Sequence, residues 1–311
     1  MVQMFDVPIL YIIYNRLEYA KTSFKQIQYI KPSVLYITAD GPKVGNFQDY
    51  ENCNLVREWV LSNITWKCEV HTSFLQSNLG CGKAVFGAIK WFFSQVKYGI
   101  VLEDDIVASF DFFTFCKLSL EKYYNHSHVA LICGYNPRGG NITSENTFFS
   151  YNPSLWGWAT WSDRLFDFDF ELLDWPNDKV KSFLTSHFPY LVQKYFIDSF
   201  NLTKYNKIDT WDYQLTYLIF KREGLTLKPY SNLITNIGLF GTHSAGLDHN
   251  HNISFGKINL KTIRFPVNYI VDNSNDINHF NKILMKDNVN EILRNAKSLI
   301  SNIFKNCKKY F

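Results

Sequence analysis

Glu103, Asp104 and Asp105 stand in line directly after a short apolar run, Tyr98-Gly99-Ile100-Val101-Leu102, and Ile106 returns to apolar character behind them. Neighbouring carboxylates raise one another's pKa, so three in a row at the end of a buried segment call for compensating positive charge. A divalent cation is the simplest compensation. Hard oxygen ligands suit Mg2+ or Mn2+, which keep several waters and complete their shell with phosphate oxygens. The alternative is a solvated acidic loop, against which the buried run argues.

A second candidate lies in Asp209-Thr210-Trp211-Asp212-Tyr213-Gln214. Asp212 opens a predicted helix with Leu215, Leu218 and Ile219 inward, where a carboxylate is either a general base or a plain cap on the helix dipole.

Positioning such residues requires a scaffold, and the chain alternates short apolar runs with amphipathic segments from Pro8 to about Val129, the pattern of a βαβα layout with a parallel sheet. Strands are expected at Ile9 to Tyr14, Val34 to Thr38, Cys68 to Phe74, Ile100 to Leu102 and Val129 to Cys133. The second ends at the turn Asp40-Gly41-Pro42. The third leads through Ser77-Asn78-Leu79-Gly80-Cys81-Gly82-Lys83 into a helix buried through Val85, Ile89 and Phe92, and Ser109 is placed to cap the helix after the acids. In a parallel sheet, ligands gather at the carboxyl ends of the strands.

Beyond Gly134 the texture changes. Thr147 to Tyr151 reads as an antiparallel strand, residues 178–222 as mostly helix, Leu225 to Asn236 as short strands, and Gly238 to Asn252 as a polar loop of the kind that closes over ligands. Trp156, Trp158 and Trp161 form either a core wedge or one wall of a sugar pocket. From Ile277 onward an apolar stripe runs beside Lys286, Arg294, Lys297 and Lys305, which fits a helix packed on the body or a basic anchor at an anionic membrane surface. Three segments are expected: 1–135 as an α/β half, 136–256 as a second half carrying the candidate base and a closing loop, and 257–311 as a mostly helical extension.

With 311 residues, 46% of them hydrophobic, the chain can bury a substantial core. Aromatic residues reach 17%, a richness suited to sugar platforms as well as packing. A net charge of +4, with Lys305, Lys308 and Lys309 near the end, gives no nucleic-acid stripe. The six cysteines lack CxxC spacing, as expected in a reducing compartment. The first apolar run has neither the basic start nor the cleavage site of a signal peptide, and no stretch is long enough to span a bilayer. A cytoplasmic protein, peripheral to the membrane at most, is expected.

If the ligand is a nucleotide sugar, the departing diphosphate needs a metal or cations and the attacking hydroxyl needs a carboxylate. A strand ending in Asn15-Arg16, the turn at Asp40, Glu103-Asp104-Asp105, the Gly157-Trp158 segment, Trp211-Asp212 and a late Gly241-Thr242-His243-Ser244 follow one another in an order that resembles the GT-A glycosyltransferases. More narrowly it resembles the inverting β-N-acetylglucosaminyltransferase I type and its bacterial relatives, over roughly residues 7–245.

The resemblance implies a Rossmann-like mixed α/β sheet flanked by helices. It implies that Arg16 and Asp40 contact the nucleotide, that Glu103 and Asp104 hold ribose and donor sugar, and that Asp105 coordinates Mn2+ or Mg2+. Asp212 would be the base, Trp211 would pack beside the sugar, and His243 would touch phosphate or metal from its loop. Lys83 alone represents the family's basic helix start. The implied partners are a nucleotide-sugar donor, with UDP expected, and a glycan or glycolipid acceptor, as in bacterial surface polysaccharide or lipopolysaccharide synthesis. The segment from about Gly246 has no counterpart in the family.

Two enzyme alternatives fit less well: a sugar-phosphate nucleotidyltransferase needs a Gly-rich phosphate loop that Tyr14-Asn15-Arg16-Leu17 does not provide, and Glu103-Asp104-Asp105-Ile106 lacks the spacing of a DxDx(T/V) phosphatase. A non-catalytic carbohydrate-binding or scaffold protein remains the rival from another class.

Overall fold

The structure, a computed structural model, describes residues 4–137, 147–238 and 254–281. The loop bearing His243 and the basic stripe beyond residue 281 lie outside the described residues. Strands β1 (Ile9–Ile13), β2 (Val34–Ala39), β3 (Glu69–Phe74) and β4 (Tyr98–Glu103) are mutually parallel in the order β3-β2-β1-β4. Side chains alternate across a pleated strand, and both faces here are apolar. Ile9, Tyr11 and Ile13 of β1 join one core with Leu35, Ile37, Ile100 and Leu102, while Leu10 and Ile12 join the other with Tyr36 and Val101.

Helices cover both faces. The first core takes Ala20, Phe24 and Ile27 of α1 (Leu17–Ile30) and Val56 and Val60 of α2 (Phe47–Ser62); the second takes Val85, Ile89 and Phe92 of α3 (Cys81–Gln95). The chain steps from β1 to β2 to β3 with α1 and α2 on one face, then returns across the sheet to β4 with α3 on the other. A single crossover hand requires that change of face. The reversal falls between β1 and β4, so their carboxyl ends flank the topological switch point.

The sheet continues through the later chain. After β5 (Ile106–Ala108) and α4 (Phe110–Lys122) come β6 (Val129–Cys133), β7 (Thr147–Ser150) and β8 (Trp158–Trp161). Helices α5 (Asp178–His187), α6 (Tyr190–Lys204) and α7 (Asp212–Lys221) follow, then β9 (Leu225–Pro229) and β10 (Ile234–Asn236). The eight-stranded order is β3-β2-β1-β4-β8-β6-β9-β7, with β8 antiparallel between β4 and β6, β9 parallel to β6 and β7 antiparallel at the edge. β5 and β10 form a separate antiparallel pair. One mixed sheet thus runs through both of the expected halves.

The expected strand at 129–133, the antiparallel strand after 147 and the helices within 178–222 are present. Sequence reading missed β8, whose four residues present two tryptophans where a strand pattern would alternate polar and apolar. Both are needed there: Trp158 and Trp161 are almost fully buried and enter opposite cores, so this part of the tryptophan cluster is a wedge between layers. Trp156 is half-buried and packs edge-on against Tyr135.

Phe24 is fully buried in contact with the rings of Tyr11, Trp59 and Trp66. Phe24→Ala is expected to cost about 3–5 kcal/mol through lost transfer energy and a cavity. Val44→Ala, at an almost wholly exposed position, should stay within about 0.5 kcal/mol of wild type, with urea unfolding as the measurement.

Candidate functional site

The carboxyl ends of β1 and β4 are joined by an ion pair. Arg16, directly beyond β1, donates Nη2 to Asp104 Oδ1 and, at 3.0 Å, to Asp105 Oδ2. Its guanidinium also lies over the Tyr19 ring. Burial works against the charge on Arg16, but Asp104 and Asp105 outweigh it and hold the proton more tightly than usual. The charge compensation expected of a metal is therefore supplied in part by the protein itself.

The three acids occupy three environments. Asp104 is 2% exposed, its carbonyl accepts from Ser23 Oγ at 2.8 Å, and its Oδ2 is buried without a hydrogen-bond partner. Burial pushes its carboxyl up to about 6, with Arg16 pulling the other way and Asp105 adding to the rise. Asp105 is more open, and its Oδ1 accepts no hydrogen bond among the described residues. The Glu103 side chain makes no hydrogen bond or ion pair among the described residues; burial raises its pKa well above the ordinary range, Asp105, Asp104 and Asp212 add to the shift, and Arg16 opposes it. Asp212 is therefore within electrostatic reach of Glu103.

Around this centre, carboxylates brace loops. Asp40, beyond β2, accepts at Oδ1 from the backbone N–H groups of Gly41 and Leu79 and at Oδ2 from Gly80 N and Asn78 Nδ2, and these bonds hold the β3–α3 loop against the end of β2. Arg57 Nη2 donates to the carbonyls of Asp40 and Leu75. Asp49 is buried and accepts from Tyr14 OH, Asn15 Nδ2 and Lys43 N; burial alone would raise its pKa, but those bonds lower it below the ordinary value. Arg57 and Asp49 escaped sequence reading because a buried brace on a helix carries no local signature.

Asp212 begins α7, and its Oδ1 accepts from Thr210 Oγ1 and, at 2.9 Å, from the Tyr213 N–H. Its Oδ2 makes no hydrogen bond among the described residues. Trp211 is 5% exposed and stacks on Trp158 in the second core. Lys83, in the first turn of α3, is exposed and makes no ion pair among the described residues. The structure thus gathers Arg16, Glu103, Asp104, Asp105 and Asp212, and gives Asp40 and Trp211 structural partners. Asp105 also meets the start of the predicted closing loop: its carbonyl accepts from Ile237 N, and a side chain on Gly238 would collide with its carboxylate.

Among the described residues, no three His, Cys, Asp or Glu side chains gather into a metal cage, and no helix is long and apolar enough to cross a membrane. A cavity of about 430 Å³ lies elsewhere, between the α5–α6 junction and residues 273–281.

No family model and no curated protein matches the chain. Among solved structures it is similar to the mannosyltransferase PcManGT from Pyrobaculum calidifontis, in complex with GDP-Man and Mn2+, at 12% identity and a TM-score of 0.31 over 44% of this chain and 37% of that one. It is similar to HddC from Yersinia pseudotuberculosis at 12% identity and a TM-score of 0.32, over 55% and 81%. It is similar to the glycosyltransferase GlyE of Streptococcus pneumoniae TIGR4 at 10% identity and a TM-score of 0.33, over 71% and 45%. The match spans less than half the length of the mannosyltransferase and of GlyE.

Because the folded state holds a proton on Asp104 up to about pH 6, against an ordinary value of 3.8, it binds more protons than the unfolded chain in that window. Stability contributed by this group therefore falls as pH rises from about 4 to 6, and Glu103 acts with the same sign. Asp104→Asn should flatten that part of the profile. Arg16→Gln should destabilise the fold by about 3 kcal/mol at pH 7, since it strands a buried charge, and should extend the fall to higher pH. Urea unfolding across the pH series measures both; an Arg16→Gln protein as stable as wild type would remove the ion pair from its central place.

Proposed function

We propose that this chain is a metal-dependent, inverting glycosyltransferase of the GT-A type, moving a sugar from a UDP-sugar to a hydroxyl of a glycan or glycolipid. The observation that carries the reading is the meeting, at the switch point between β1 and β4, of an unpaired Glu103, a half-paired Asp105 and Asp212 from a remote helix. In this reading residues 1–135 hold the nucleotide, 136–256 face the acceptor and 257–311 form an extension whose basic part can touch a membrane surface.

The donor set fits a hard cation. Asp105 offers one free oxygen, and since no cage forms among the described residues, such an ion would draw the rest of its ligands from phosphate and water, as Mn2+ and Mg2+ do. When bound, it stabilises the charge on the departing diphosphate. Arg16 stays next to that charge while keeping Asp104 ionised, and the exposed Lys83 adds positive potential. Glu103 holds the ribose or the donor sugar, Asp104 stays engaged with Arg16 behind it, and Asp40 shapes the nucleotide end through the loop it clamps. Asp212 accepts the acceptor hydroxyl's proton at Oδ2 while Thr210 and Tyr213 fix Oδ1. Trp211, buried against Trp158 directly before Asp212, anchors the start of the helix that carries the base, and His243 reaches phosphate or metal from its loop.

Isothermal titration with UDP in Mn2+ and in EDTA, beside GDP and CDP, is the direct test. Metal-dependent UDP binding should vanish in Asp105→Ala. Asp212→Asn should bind UDP normally yet transfer about 10²–10⁴-fold more slowly. Binding of no nucleotide would move the protein to the glycan-binding class, and full transfer by Asp212→Asn would remove that residue as the base.

A further inference from the structure

Helix α3 has no cap of its own. Its N-cap position is Gly80, which offers no side chain, and its first turn holds no acid. The N–H groups of Cys81 and Gly82 are met instead by Asp209, 128 and 127 residues away, whose Oδ2 and Oδ1 accept at 2.9 and 2.8 Å. Both oxygens of Asp209 point at backbone, so this carboxylate brackets two segments.

The seam is closed from the other side as well. Gly80 has φ +85°, and a Cβ there would stand 2.7 Å from Asp209 Oδ2. A Cβ on Gly82 would stand 2.6 Å from the Thr210 carbonyl and 2.7 Å from Asp209 Oδ1. The 209–210 backbone therefore lies against α3 at a distance that only glycine permits. Three residues on is Asp212, with Thr210 bonded to its carboxylate and Gln214 Nε2 returning to the Thr210 carbonyl at 2.9 Å.

We infer that Asp209 is a positioning residue: by capping α3 across the glycine seam it fixes the 209–212 segment, and so holds Asp212 against the acids at the end of β4. The inference rests on the role proposed for Asp212 and adds the residue that places it. A shift of about 1 Å at a reacting group is enough to cost on the order of 10²-fold in rate.

Two variants open the seam differently. Asp209→Asn keeps the volume but turns an NH2 toward one of two N–H donors. Gly82→Ala keeps Asp209 and improves helix propensity while pushing Thr210 away. Each is expected to lower kcat on the order of 10–100-fold with UDP affinity unchanged, and the double variant should be no slower than the worse single one, because both break one contact. Hydrogen exchange at the Cys81 and Gly82 amides should quicken in Asp209→Asn.

Quickened exchange with undiminished turnover would make Asp209 a plain cap and overturn the inference. So would a loss of UDP affinity in step with kcat, or a Gly82→Ala enzyme of full activity. A wild-type protein that transfers no sugar would overturn the functional reading and this role with it. That outcome is distinct from active wild type with active variants, which removes the positioning role alone.

Discussion

The bond between Arg16 and the acids beyond β4 is the constraint on which the rest of the site depends. Asp104 is nearly sealed from water, and an ionised carboxylate so placed is tolerable only with a charged, hydrogen-bonded partner. The partner comes from the end of β1, the strand beside β4. The pair therefore joins the two strands at the point where the crossover direction reverses.

One consequence is that three chemically similar neighbours acquire different tasks. Asp104 is spent on the ion pair, Asp105 shares one oxygen and keeps the other, and Glu103 is left unpaired with its proton held tightly. Asp40, Asp49 and Asp209 use their carboxylates to gather backbone N–H groups or side-chain donors from segments that share no regular structure. Loops at a strand edge lack ladder partners, and a carboxylate with several acceptor sites is an efficient clamp for them. Acidic residues here are thus divided between holding the loops and standing, partly unpaired, at the switch point.

That division marks what could be read from sequence. The parallel strands, the acids at a strand's carboxyl end and Asp212 at a helix start follow from local periodicity and turn chemistry, which act over a few residues. β8 was hidden because Trp158-Ala159-Thr160-Trp161 is apolar toward two cores at once and so shows no alternation. Arg16 was visible as a residue after a strand, but its salt bridge spans 88 residues to Asp104 and has no local trace. Asp209 stood in the open, three residues before Asp212, yet its role depends on a helix 127 residues earlier. Long-range brackets are set by topology, and topology is what a one-dimensional pattern carries least well.

The same topology explains why Asp209 and Asp212 lie where they do. A helix that precedes a parallel strand runs back along the sheet, so it begins at the edge where the strands end. α3 precedes β4 and α7 precedes β9, which is parallel to β6, and both helices therefore start at the carboxyl edge. Two helix N-termini brought together oppose their positive dipole ends and leave unpaired N–H groups on each. Asp209 sits between them, bonded to the first turn of α3 and leading into α7, while Asp212 turns its Oδ1 onto the first turn of α7 itself. The electrostatic conflict created by the fold is relieved by two carboxylates. One is consumed entirely by α3, and the other retains an oxygen that makes no hydrogen bond among the described residues.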